Sequence, residues 1–208
     1  MVSDGVTKEA NGGNKTPTPM TIVVPGFGDN HDSLRVLERY LARSVGPTMT
    51  LSPQPSDGRA RLEALAELLA MQIEYHQQKK QPINLVGFSM GGLICRYYCQ
   101  FLAGTVQVQQ LITIASPHQG TWSAYLFDCP ACIQMRPGSQ FLQSLNHDLT
   151  AFTTIRFTSV WTPLDLTIIP AVSSWLPVGE IVAILSPFHR TMVIDPRVQH
   201  AVSVRLMH

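Results

Sequence analysis

The chain has 208 residues, the length of a single domain, and its 15 Lys and Arg against 14 Asp and Glu give a net charge of +1. A near-neutral chain is not built to neutralise a phosphate backbone, so we expect no nucleic-acid partner. Charged residues make up only 14% of the sequence, against about 25% in an average globular protein, so we expect an unusually apolar surface.

The first 19 residues differ in composition from the rest of the chain. They are rich in Gly, Asn, Thr, Lys and Pro without periodicity, so residues 1–19 are predicted to be a disordered tail. They also lack the apolar run of a secretory signal. The longest apolar stretch, 166–185, is broken by Pro170, Pro177 and Glu180, which argues against a membrane span. We therefore expect a cytoplasmic protein.

Strands and helices are predicted to alternate from residue 20 onward. The strands are short apolar or β-branched runs, and the helices have apolar residues every three or four positions. In chain order we predict a strand at 20–25, a helix at 33–44 capped by Ser33, a strand at 48–51, a helix from 57 or 58 to 76, a strand at 83–87, a helix at 91–102, a strand at 107–115, an irregular segment at 116–146, strands at 155–161 and 182–185, and a helix at 196–206. This alternation predicts an α/β fold with a mostly parallel central sheet and helices on both faces.

The most informative motif is GFSMGG at 87–92, between a predicted strand and a predicted helix. A G-x-S-x-G sequence at such a turn is typical of a nucleophile elbow, where a strained backbone exposes the serine hydroxyl above the sheet. Glycine is needed on both sides because the strand and helix backbones nearly touch there. Ser89 is therefore the candidate nucleophile, and the alternative is a purely structural glycine-rich turn.

Two backbone N–H groups are candidates for an oxyanion hole. Acyl transfer needs donors aimed at the negative charge that develops on the carbonyl oxygen. One donor would be Met90, which follows the serine, and the other would be Phe27, between two glycines in the loop after the first strand. The alternative for the Phe27 loop is an ordinary glycine-rich turn.

A catalytic acid and base are expected downstream of the serine, the acid first. Asp165 follows a predicted strand by a short loop, and His189 lies in the loop before the last helix. In this assignment Ser89 attacks a carbonyl, His189 accepts and returns its proton, and Asp165 holds the imidazole tautomer. Asp165 could instead be a turn-capping residue. The other downstream acids and histidines fit the order or the positions less well: Asp128, Asp148, Glu180, Asp195, His200 and His208.

With these motifs the chain resembles the small lipases and esterases of the α/β-hydrolase superfamily, especially bacterial, cyanobacterial-like class-2-type lipases. The resemblance rests on PGFG at 25–28, GFSMGG at 87–92 and ASPHQGT at 115–121. It implies a minimal α/β-hydrolase domain at 20–208 with little or no lid, an acyl-ester substrate, and neither a cofactor nor a metal. Many lipases have His-Gly where this chain has Pro25-Gly26, and the histidine at 118 is expected to be structural.

The predicted rim of the site is apolar, which favours a lipid or acyl-ester substrate and transient contact with a membrane surface. We predict four substrate-binding residues, each of which could instead pack in the core: Trp122, Ile168, Trp175 and Phe188. An acyltransferase or thioesterase on the same triad, and a non-enzymatic binding module, remain alternatives. Cys129 and Cys132 form a single C-x-x-C pair, for which a local disulfide or two free thiols is favoured over a zinc site. The oligomeric state stays open.

Overall fold

The computed structural model describes residues 18–76, 81–103 and 108–208. The predicted disordered tail lies outside the described residues except for Thr18 and Pro19, and so does Gln107, the first residue of a predicted strand. Within the described ranges, no helix combines the length and the apolar character needed to cross a bilayer.

A six-stranded sheet forms the centre of the molecule, with strand order β2-β1-β3-β4-β5-β6. Every neighbouring pair of strands is parallel, which confirms the predicted α/β fold. The strands are β1 (Met20–Val24), β2 (Thr48–Thr50), β3 (Ile83–Phe88), β4 (Val108–Ile114), β5 (Arg156–Trp161) and β6 (Glu180–Ala183). Because all strands point the same way, the loops at their carboxyl ends meet along one edge of the sheet.

Helices cover both faces of the sheet, as predicted. They are α1 (Arg35–Ser44), α2 (Leu62–His76), α3 (Met90–Tyr97), α4 (Pro130–Met135), α5 (Gln140–His147) and α6 (Pro196–Leu206). Successive residues of β3 point to opposite faces, so Leu85 packs in the core beneath α2 and α3, and Val86 packs in the core beneath α1 and α6. Two apolar layers therefore hold the sheet from both sides.

Two predicted helix starts are wrong. The helix predicted from residue 57 or 58 begins at Leu62, because Gly58 has φ +92°, a left-handed conformation that a helix cannot include. Before α1 the chain forms a 3₁₀ turn, His31–Leu34, and its cap is Asn30, whose side chain accepts from the N–H of Ser33. Ser33 was predicted as the cap and instead completes the capping box.

The segment predicted to be irregular, 116–146, contains a 3₁₀ turn at Trp122–Leu126 and the short helices α4 and α5. The helix signals were present in Pro130, at the first position of α4, and in Ser139, whose hydroxyl caps α5. Six and eight residues are too few for a clear apolar period, which is why the pattern missed them. The turn at Trp122–Leu126, α4 and α5 are together called the helical cover.

Candidate active site

Ser89 stands on the sharp turn between β3 and α3. Its φ of +53° is rare for a residue with a side chain and fits the strained elbow that the sequence predicts. A Cβ on Gly87 would lie 2.5 Å from the Cα of Gly92, and a Cβ on Gly91 would collide with the carbonyl oxygen of Val24. The glycines therefore let three backbone segments converge beneath the hydroxyl.

The structure brings Ser89, His189 and Asp165 into one hydrogen-bonded chain. Nε2 of His189 lies 2.9 Å from Oγ of Ser89, and Nδ1 lies 2.8 Å from Oδ2 of Asp165. His189 begins a 3₁₀ turn that follows β6, and Asp165 follows β5. Three strands thus present one residue each at the carboxyl edge, as the sequence predicts.

The carboxylate of Asp165 is buried and held in one orientation. Its Oδ1 accepts hydrogen bonds from the backbone N–H groups of Thr167 (2.8 Å) and Ile168 (2.9 Å), which leaves Oδ2 for the histidine. An ionised carboxylate only accepts, so Nδ1 of His189 must be the donor, and Nε2 is left to accept from the serine hydroxyl. The ring of Phe88 packs 4.9 Å from the imidazole, centre to centre. The arrangement can withdraw a proton from Ser89.

The backbone N–H groups of Phe27 and Met90 lie on the two segments next to the nucleophile. Met90 is the first residue of α3, so its N–H lacks an intrahelical acceptor. In the described part of the chain, neither N–H donates to a protein acceptor. The Phe27 loop approaches closely, because a Cβ on Gly26 would lie only 3.0 Å from Cβ of Ser89. Both groups remain candidates for the oxyanion hole.

A cavity of about 260 Å³ opens beside Ser89. Its walls come from the loops after β1, β4 and β5 and from α4: Phe27, Pro117, Thr121, Ser123, Ala124, Leu126, Phe127, Cys132, Met135, Leu166, Thr167 and Ile168. Ile168, a predicted substrate-binding residue, is therefore a lining residue. The other three predicted residues, Trp122, Trp175 and Phe188, lie outside this lining and are exposed.

The lining residues that sequence reasoning missed include several from the helical cover, such as Cys132 and Met135 of α4. Their signal was the apolar side of α4, hidden in a segment predicted to be irregular. All four cysteines are free thiols, so Cys129 and Cys132 are not a disulfide. Over the described ranges, no group of three or more His, Cys, Asp or Glu residues is arranged so that it could hold a metal ion.

His118 is not part of the hydrogen-bonded chain of Ser89, His189 and Asp165. It is fully buried, and its ring nitrogens contact Arg96 and Thr113. Burial and the charge of Arg96 hold the pKa of His118 well below its usual range, so the ring is neutral at pH 7. His200 is exposed on α6.

A parallel sheet with a serine elbow after β3, an acid after β5 and a histidine after β6 defines an α/β-hydrolase. Residues 21–164 match the family model "Palmitoyl protein thioesterase", and the chain belongs to this family. It is also 28% identical over 117 residues to triacylglycerol lipase 2 of Saccharomyces cerevisiae. That match covers 55% of this chain and 28% of the yeast protein, so the chain spans little more than a quarter of the relative's length.

Solved structures of lipases share the fold. The lipase B of Aspergillus fumigatus superposes with a TM-score of 0.77 at 16% identity, over 91% of this chain and 53% of that one. A mature Bacillus licheniformis lipase superposes with a TM-score of 0.73 at 14% identity, over 91% and 92% of the two chains. The relatives include fungal as well as bacterial proteins, so the narrower bacterial, cyanobacterial-like resemblance remains an expectation.

Proposed function

We propose that the protein hydrolyses carboxylic esters of lipids or other acyl groups through an acyl-serine intermediate. The observation that carries this proposal is the unbroken hydrogen-bonded chain from Ser89 through His189 to the buried carboxylate of Asp165. The apolar cavity beside the hydroxyl supports an acyl chain as the group that is bound.

The chemistry follows from the donor and acceptor roles. His189 removes the hydroxyl proton as Ser89 attacks the ester carbonyl, and the N–H groups of Phe27 and Met90 stabilise the oxyanion. The imidazolium then protonates the leaving alcohol, and an acyl-serine ester remains. Water, deprotonated by His189, attacks this ester, and the imidazolium returns the proton to Oγ of Ser89 as the acid is released. Asp165 stabilises the imidazolium in both halves.

The test is hydrolysis of p-nitrophenyl esters from acetate to palmitate, together with labelling of the serine by a fluorophosphonate. Ser89→Ala and His189→Ala should each lose at least about 10³-fold in kcat, and Ser89→Ala should also lose the label. His200→Ala, at an exposed histidine of α6, should keep full activity. No turnover by the wild-type chain, or full activity of His189→Ala, would overturn the proposal.

Thioester hydrolysis is a second candidate, favoured by the family match across 21–164. The same three residues would act, and the thiolate leaving group would need less help from the imidazolium because thiols are more acidic than alcohols. The discriminating measurement compares kcat/KM for an S-palmitoyl peptide and its O-palmitoyl serine analogue. A preference of tenfold or more for the thioester would make thioesterase activity the main function.

We further propose that the mouth of the cavity touches a lipid surface. Leu126 and Leu166 line the cavity and are 78% and 74% exposed, an unusual position for two large apolar side chains. Leu126→Asp and Leu166→Asp should weaken sedimentation with phosphatidylcholine vesicles. Met71→Asp, at an exposed methionine of α2 outside the cavity lining, should not. Equal binding by all variants would contradict this contact.

A further inference from the structure

An ion pair joins the loop after β1, which contains Phe27 and is called the oxyanion loop below, to the turn that carries His189. Nη2 of Arg190 donates to Oδ1 of Asp29, across 161 positions of sequence. Asp29 belongs to the loop after β1 that also contains Phe27, and Arg190 directly follows His189. Residue Asp29 is only 3% exposed, whereas the side chain of Arg190 is 69% exposed. A buried anion is thus neutralised by a cation at the surface.

Asp29 is fixed by its own loop, independently of the arginine. Its N–H donates to the carbonyl of Gly26 (3.2 Å), and its carbonyl accepts from the hydroxyl of Ser56 (2.7 Å). The N–H of Gly28 also donates to the carbonyl of Ser56, at 2.8 Å. Since the loop is already anchored, the segment that gains an anchor from the ion pair is the one bearing His189 and Arg190.

The buried carboxylate also lies close to the reacting centre. Oδ2 of Asp29 is 3.3 Å from the point that a Cβ on Gly26 would occupy, and Cβ of Ser89 is 3.0 Å from the same point. A carboxylate without its counter-ion at this place would repel the oxyanion that forms on the substrate, and burial would strengthen the repulsion. The guanidinium of Arg190 offsets that charge.

We propose that Asp29 and Arg190 are positioning residues of the hydrolase reaction. The pair holds the histidine turn against the oxyanion loop, and the arginine prevents Asp29 from opposing the negative charge of the tetrahedral intermediate. This inference rests on the proposed function, because it assigns the two residues to the same reaction. The inference predicts an order of activity among variants. Removing only the positive charge of Arg190 should lower kcat more than removing the charges of both Arg190 and Asp29.

The test compares Arg190→Gln, Arg190→Lys, Asp29→Asn and the double variant Asp29→Asn/Arg190→Gln. Arg190→Gln should lower kcat by about tenfold with an unchanged KM, since the repulsion acts on the transition state. The double variant should be several-fold faster than Arg190→Gln, and Arg190→Lys should keep most of the wild-type rate. Arg35→Gln, which breaks an exposed ion pair with Asp32, is the matched control and should be neutral.

A second readout separates this inference from the proposed function. The rate constant for fluorophosphonate labelling of Ser89 passes through an anionic transition state and needs no ester substrate, so it should show the same order of variants. If the wild-type chain is labelled and hydrolyses no ester, the proposed function fails and the order of labelling rates still decides the inference. A double variant as slow as Arg190→Gln, or an Arg190→Gln variant with wild-type kcat and labelling rate, would overturn it.

Discussion

Arg96 donates a hydrogen bond from Nη1 to Nδ1 of His118 across 3.3 Å, so two basic side chains are joined in the buried layer between α3 and β4. A guanidinium only donates, which makes Nδ1 the acceptor and puts the ring proton on Nε2. Nε2 lies 2.9 Å from Oγ1 of Thr113, and that hydroxyl donates onward to the carbonyl of Thr158 at 3.4 Å. The contacts fix a neutral histidine.

The charge of Arg96 is compensated by the end of α5. Its Nη2 donates to the carbonyl of Leu145 (2.9 Å) and to Oδ1 of Asn146 (3.0 Å), where the last carbonyls of a helix carry partial negative charge. Burial lowers the pKa of Arg96 to about 9, so the group remains charged at neutral pH. This cation ties α5 to α3. Burial, together with the charge of Arg96, keeps His118 from being protonated.

We predict a loss of stability in acid that is due to His118. Its folded-state pKa lies well below the unfolded value of about 6.5, so below pH 6.5 only the unfolded chain binds this proton. The free energy of unfolding should therefore fall by about 1.4 kcal/mol per pH unit from this group alone. Urea unfolding at pH 7 and pH 5 measures the loss, which should be smaller in His118→Gln. An unchanged pH dependence in His118→Gln, with His200→Gln as control, would contradict it.

Asp165→Asn is predicted to fold normally and to lose about 10³- to 10⁴-fold in kcat. If Oδ1 keeps accepting from the N–H groups of Thr167 and Ile168, the new amide must point its NH₂ at His189. Nδ1 then has to accept, the proton moves to Nε2, and the imidazole can no longer take the proton of Ser89. Steady-state kinetics with a matched melting curve gives the result, and a loss below tenfold would show that another group orients the histidine.

The elbow glycines predict a large difference between two Gly-to-Ala substitutions. A Cβ on Gly91 would collide with the carbonyl oxygens of Val24 and Pro25, which belong to β1 and its loop and cannot move aside. Gly91→Ala should therefore cost more than about 3 kcal/mol of unfolding free energy. Gly138, unlike Gly91, has a positive φ, +75°, but a Cβ there meets nothing within 4 Å. Gly138→Ala should cost only about 1 kcal/mol in chemical denaturation, and equal losses would refute the steric argument.

The cavity beside Ser89 predicts a variant with altered chain-length preference. Met135 of α4 is buried in the cavity wall, so Met135→Trp should fill the space meant for a long acyl chain. We expect kcat/KM for p-nitrophenyl palmitate to fall by about tenfold or more, and that for the acetate to stay unchanged. Ile133→Trp is the matched control, because Ile133 belongs to the same helix and is exposed outside this cavity. Parallel losses on both esters would place the acyl chain elsewhere.

Local rules in the sequence were enough to predict the parallel sheet and the elbow. The glycines around Ser89 are dictated by backbone contact, and the strand before them is a continuous apolar run, as burial on both faces requires. The positions of Asp165 and His189 follow from the order of strands along the chain. These features can be predicted from a single sequence because they depend on neighbours within a few residues.

Contacts between distant segments could not be predicted in this way. Asp29 and Arg190 meet because β1 and β6 end at the same edge of the sheet, and nothing in either segment signals its partner. Gly58 looked like a helix start and is a left-handed turn, where a Cβ would collide with the distant residues Phe27 and Cys129. Neither the ion pair nor the turn at Gly58 could be predicted from local propensity, because both involve contacts between segments that are distant in sequence.

The position of His189 puts the proposed catalytic base directly after an edge strand of the sheet. The histidine follows β6, an edge strand of four residues that pairs with β5 alone, and it must reach a serine 100 positions earlier, on the turn after β3. Local unfolding of β6 would move His189 away from Ser89 while the two apolar layers stay folded. Thermal inactivation should consequently precede global melting, and during refolding the enzyme should regain turnover only when the last strand has docked.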